Sequence, residues 1–119
     1  MAFPGTYNIN YYKGDTLEFR IFPKKVDGSA VDLTGYTAKF AFSTSRGSQG
    51  SVDYHEALST ISNDATNVLC VIRPADSSYL TAGTTYYYDV EITKTATPYD
   101  IVHTIVTGTI TVTDQVSVS

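Results

Sequence analysis

Thr84-Thr85-Tyr86-Tyr87-Tyr88-Asp89-Val90-Glu91-Ile92-Thr93-Lys94-Thr95 decides the fold class. In an extended chain Tyr86, Tyr88, Val90 and Ile92 face one way, and Thr85, Tyr87, Asp89, Glu91 and Thr93 the other. This period-two alternation of aromatic and β-branched residues with polar ones suits a half-buried strand; a helix would scatter the same positions around its circumference. Upstream, Leu17, Phe19 and Ile21 alternate with Thr16, Glu18, Arg20 and Phe22, until Pro23 ends the strand or places it at an edge. Tyr36, Ala38, Phe40 and Phe42 oppose Thr37, Lys39, Ala41 and Ser43, and in Tyr7–Tyr12 the residues Tyr7, Ile9 and Tyr11 share a face. A weaker strand is expected over Val52–Leu58, before a polar run from Ser59 to Asn67.

Val68-Leu69-Cys70-Val71-Ile72 is a continuous apolar run too short for a helix, so it reads as a strand covered on both faces or nearly so. The last strand, Ile101–Thr113, places Val106, Ile110 and Val112 in one phase and Ile101, His103 and Ile105 in the other. Gly108 is therefore expected to be a bulge, where the apolar face switches, or a point of close approach. Turn signals separate these segments: Asp27-Gly28, Gly35, the linker-like Ser43–Ser51, and Ala96–Asp100. Pro74–Leu80 reads as a single helical turn, which Asp76 or Ser77 can cap and Gly83 closes.

Seven short strand candidates without βαβ alternation predict an all-β, immunoglobulin-like antiparallel β-sandwich with one helical turn near residues 75–81. The expected organisation is an N-terminal arm over residues 1–6, a single domain over 7–113 and a tail over 114–119. Composition agrees, with 10 Tyr and 5 Phe against 1 Met. Trp is absent and Cys70 is the only cysteine, so neither the antibody Cys…Trp…Cys pattern nor an intrachain disulfide is available. A net charge of −4 argues against a nucleic-acid partner, which calls for a basic stripe. No apolar run approaches the roughly 20 residues of a membrane span. Met1–Gly5 lacks a basic and apolar leader, so synthesis in a cytoplasm is expected.

Catalytic signals are weak. The two histidines, His55 and His103, are read as surface or packing residues, and no nucleophile-elbow glycine pattern surrounds any serine. Two histidines and one cysteine without short ligand spacing make no zinc site, and no acidic loop approaches the calcium pattern. Cys70, inside an apolar run, is expected to be an inert core thiol. Ser45-Arg46-Gly47-Ser48 is no phosphate cradle, since neither a P-loop lysine nor a following helix accompanies it. No catalytic residue, cofactor or metal site is expected. Exposed tyrosines offer rigid contact area with a polar tip, and the candidate partner contacts are Tyr12, Tyr87, Phe3 and Tyr99.

Gly14-Asp15-Thr16, Asp27-Gly28 and Val31-Asp32-Leu33-Thr34-Gly35-Tyr36-Thr37-Ala38 resemble a segment recurrent in bacteriophage virion proteins. Tyr86–Ile92 and Gly108-Thr109-Ile110-Thr111-Val112 resemble the last two strands of the same family. The likeness, from about Tyr7 to Val116, is to the immunoglobulin-like N-terminal domain of phage baseplate upper proteins and related tail and neck proteins. Asp32-Leu33-Thr34-Gly35-Tyr36 is its sharpest motif, and it reports scaffold rather than chemistry. The resemblance implies a non-enzymatic virion structural protein, present in many symmetric copies and held by other virion proteins, without membrane insertion. Ending after one domain departs from the baseplate upper proteins and suggests a small adaptor, neck or decoration subunit. The alternative is a carbohydrate-binding adhesion module on the virion surface, resting on the surplus tyrosines and the loops at both ends of a sandwich.

Overall fold

Each alternating segment becomes a strand where its apolar phase can be buried. The computed structural model describes residues 5–44 and 54–114. Within them lie β1 (Gly5–Thr6), β2 (Ile9–Tyr12), β3 (Leu17–Ile21), β4 (Thr37–Ser43), β5 (His55–Ile61), β6 (Val68–Ile72), β7 (Thr85–Lys94) and β8 (Ile101–Thr113). A 3₁₀ helix, Pro74–Tyr79, stands where the helical turn is expected. One layer runs β1 and β2, β8, β7, β4 and then the first half of β5; the second half of β5, with β6 and β3, forms the other. β5 passes between layers, with Phe40 opposite Ala57 on one side of the switch and Leu58 opposite Val71 on the other. The fold is the all-β sandwich read from the sequence.

The core is a chain of edge-to-face aromatic rings. Phe40 meets Phe19 at 5.5 Å, Tyr88 at 5.6 Å and Phe42 at 6.3 Å, and Phe42 continues to Tyr86 at 5.9 Å. Such pairs add to the area they bury because each positive ring edge meets a negative face. Tyr86, Tyr88, Val90 and Ile92 are all buried, as their phase requires. The buried tyrosines each find a partner for the hydroxyl. Tyr88 donates to the Tyr7 carbonyl at 2.5 Å, Tyr11 donates to the Asp15 carbonyl at 2.7 Å, and Tyr86 accepts from the Thr81 N–H at 2.9 Å. Cys70 is fully buried opposite Phe19, and burial pushes its thiol up to about 12, so it stays protonated and inert.

Four expectations are corrected. The sheet is not purely antiparallel: β1 and β2 both run parallel to β8, because the N-terminal chain crosses over onto the last strand. Gly5 and Thr6, assigned to an arm, are therefore paired with Val106 and Thr107; Met1–Pro4 and the tail beyond Asp114 lie outside the described residues. The weak fifth strand extends to Ile61, since pairing with β6 supplies its backbone bonds and overrides the polar character of Ser59 and Thr60. The phase switch in β8 falls at Ile105, the extra residue between Val106, paired with Val90, and Thr104, paired with Glu91.

Gly108 is instead the close approach. A Cβ there would strike the Tyr7 carbonyl oxygen and come within 2.9 Å of its carbon and 3.0 Å of Tyr88 Cε1. Two of those three contacts are with backbone atoms, which cannot swing aside. Gly108→Ala is expected to cost about 1–3 kcal/mol through overpacking, read as a fall in chemical-denaturation midpoint. Phe40→Ala should cost about 3–5 kcal/mol in the same experiment, and a loss below roughly 0.5 kcal/mol would overturn its place at the ring hub.

Candidate functional site

The polar cluster with the most converging contacts sits where the 3₁₀ helix packs on β5. Pro74 starts that helix, and the Asp76 carboxylate reaches back to accept the Arg73 N–H at 2.8 Å, capping it as the sequence suggests. Ser77 donates to the Pro74 carbonyl at 2.6 Å. Asp76 also accepts from Arg73 Nε at 3.1 Å and Nη2 at 3.3 Å, and its Oδ1 lies 2.9 Å from His55 Nε2. The His55 ring stacks on Tyr79 at 3.9 Å, with Phe42 at 5.3 Å. The sequence reading missed this juxtaposition, because His55 and Asp76 are separated by 21 residues and only the β5 register joins them.

The Asp76 side chain is 3% exposed. Burial alone would raise its pKa, but hydrogen bonds from the Arg73 side chain and backbone and from His55, together with the Arg73 charge, outweigh that and hold it down at about 2. An ionised carboxylate only accepts, so Nε2 of His55 carries the proton and donates it. Among the described residues, no hydroxyl or thiol is hydrogen-bonded to His55. The arrangement fastens β5 to the end of β6 and presents no activated nucleophile.

The outer face of the larger layer is acidic and hydroxyl-rich. Asp89, Ala41 and Glu56 stand in one row across β7, β4 and β5, and in the next row Glu91 meets Lys39 at 3.7 Å. Tyr54 donates to Glu56 at 3.0 Å; burial, that hydrogen bond and the charges of Glu56, Asp89 and Glu91 raise its pKa to about 12. Of the candidate contacts, Tyr12 is 54%, Tyr87 40% and Tyr99 73% exposed. Tyr12 and Tyr87 share this face on the two strands that flank β8, with Thr109, Thr111 and Thr113 between them. Tyr99 lies before the start of β8 while Tyr12 pairs with its last residue, so the two are roughly 40 Å apart along the strand. Phe3 lies outside the described residues.

Two strand edges remain. β1 and β2 end the larger layer, and β3 ends the smaller one, with no further strand beyond either among the described residues. A shallow recess lined by Glu18, Phe19, Arg20 and Leu69 opens beside β3. Phe22, just past that strand, is 52% exposed. Among the described residues, no three His, Cys, Asp or Glu side chains are grouped to hold a metal, and no helix is long and apolar enough to cross a membrane.

No protein-family model and no curated protein sequence matches the chain. Among solved structures it is similar to AggA, the major subunit of aggregative adherence fimbriae type I from Escherichia coli, at 11% identity over 93% of this chain and 90% of that one, with a TM-score of 0.36. A likeness of that order carries no functional argument.

The Asp76 cluster sets a pH test. A carboxylate depressed from 3.8 to about 2 contributes stability that is present above pH 3.8 and lost as pH falls toward 2. The contribution is about 2 kcal/mol. Asp76→Asn is expected to lose roughly that amount at neutral pH and to flatten the acid limb of a stability–pH curve relative to the native chain. An unchanged acid limb would show that other carboxylates control it.

Proposed function

We propose that the chain is a non-enzymatic structural protein of a bacteriophage virion, a tail, baseplate, neck or decoration adaptor that works through protein–protein assembly. The observation that carries this reading is the sheet that, among the described residues, ends on two unpaired edges, with Tyr12 and Tyr87 exposed on the face beside one of them. Unpaired backbone donors and acceptors are a template for another chain's strand, and natural sandwiches left open in this way invite augmentation. The sequence resemblance to baseplate upper proteins supplies the setting. The acidic row on the outer face supports the protein-partner reading, since it repels a phosphate backbone. The Asp76–His55 pair, whose carboxylate is fully engaged, supports a scaffold role for that cluster.

Quantitative mass spectrometry and cryo-EM of purified particles test the reading. The chain is expected in the particle at a fixed ratio to a ring-forming virion protein. Its confinement to the soluble fraction of infected cells, with none in purified particles, would overturn the proposal.

Tyr12 and Tyr87 on one face, with a threonine row between them, favour a second reading, carbohydrate adhesion. Titration with host envelope polysaccharide separates the two. Binding at or tighter than about 1 mM that is lost in Tyr87→Ala supports adhesion. Absence of binding at that concentration removes it.

A further inference from the structure

β3 reads Leu17-Glu18-Phe19-Arg20-Ile21, and its outer edge, unpaired among the described residues, has a chemical symmetry about Phe19. Leu17 and Ile21 are apolar, half-buried and equidistant from Phe19. Glu18 and Arg20 are opposite in charge, exposed and also equidistant from it. We propose that this edge binds a second copy of the chain: two β3 strands pair antiparallel about a two-fold axis through Phe19, and the smaller layer runs on from one chain into the other. Glu18 then stands opposite the partner's Arg20, and Arg20 opposite the partner's Glu18. On the inner face Leu17 meets the partner's Ile21, and the exposed Phe22 lies opposite the partner's Thr16.

Charge selects this register over its neighbours. A slip of two residues, the smallest that keeps the buried phase inward, sets Arg20 against the partner's Arg20 in one direction and Glu18 against the partner's Glu18 in the other. A parallel arrangement in register also places like against like. Only the antiparallel pairing centred on Phe19 matches both charges and both apolar residues. Arg20 Nη1 donates to Asn67 Oδ1 at 2.7 Å on the β6 side of the strand, which leaves the other guanidinium N–H groups to meet the partner's Glu18. Glu18 forms no ion pair among the described residues. Pro23 follows the strand and limits the pairing to its length. The other edge strand, Ile9-Asn10-Tyr11-Tyr12, carries no charge and specifies no such register.

The inference goes beyond the assembly reading and stands on β3 alone, so the failure of either leaves the other to its own experiment. A five-residue strand pair is far smaller than a standard interface, and the expected Kd lies between about 10 μM and 1 mM. Sedimentation equilibrium of the native chain, Glu18→Arg, Arg20→Glu and an equimolar mixture of the two variants tests it. The native chain is expected to dimerise reversibly. Each variant alone makes both facing positions alike in charge and should associate at least about 10-fold more weakly. The mixture restores opposite charges at every facing position and should recover a one-to-one heterodimer, which a general loss of folding could not produce. Amide exchange on the native chain needs no variant: protection over Leu17–Ile21 should rise with concentration. A native chain that stays monomeric to about 1 mM, a mixture no stronger than its components, or exchange over β3 that ignores concentration would overturn the proposal.

Discussion

The hydrogen bond from the Tyr88 hydroxyl to the Tyr7 carbonyl, made over Gly108, is the constraint on which the rest of the molecule turns. Tyr88 is the central buried residue of β7, and its ring reaches both Phe40 and Phe19. A buried phenol requires a partner, and Tyr88 takes the backbone oxygen brought in by the N-terminal chain as it passes above a glycine. That crossing joins the first segment to the last strand, with β1 on one side and β2 on the other, both parallel to β8. It also brings the Tyr7 ring to 5.6 Å from Phe19, which closes the interior across the open side of the sandwich. Because β1 and β2 are both spent on β8, neither is available to cover β3.

The interior was readable because it depends on period and residue type. Tyr86, Tyr88, Val90 and Ile92 share one face only in an extended chain, and Val68–Ile72, apolar in every position, has Val71 almost as buried on its outward face as Ile72 is inward. What escaped reading depends on pairing between distant residues. Parallel pairing of β2 with β8 leaves no mark in either strand's alternation, since Ile9 and Tyr11 would face inward with any neighbour. Gly108 announced a close approach, but its neighbour is a backbone carbonyl about 100 residues away in sequence, which no local rule names. The phase change went to Ile105 instead, where two consecutive apolar residues, Ile105 and Val106, are both buried.

The candidate site divides the same way. Tyr12 and Tyr87 were marked as exposed by falling out of phase with buried neighbours, and alternation is enough for that. Asp76 was marked as a cap, which is a local role, and it caps. Its tie to His55 arises only when β5 is laid beside β4 and the 3₁₀ helix folds back, so from sequence the one buried charge of the described core could be read only as a cap. The need to neutralise that charge explains why Arg73, half exposed, is drawn in beside it.

Edges then become the chemically open part of the molecule. Among the described residues every buried side-chain donor and acceptor has a partner, Cys70 is sealed, and Asp76 has committed its oxygens. What a sandwich in this condition offers a neighbour is backbone polarity along β2 and β3 and the side chains that flank them. The two edges differ in information. β2 is uncharged and lies beside a broad hydroxyl and tyrosine surface, so contacts there are set by shape. β3 writes sign and phase into five residues, and a strand whose charges change sign when it is read from the other end is matched by a second copy of itself. A chain with one self-matching edge and one shape-matching face can pair with its own kind and still present a surface to something else, which is the minimum requirement for a repeating component of a larger assembly.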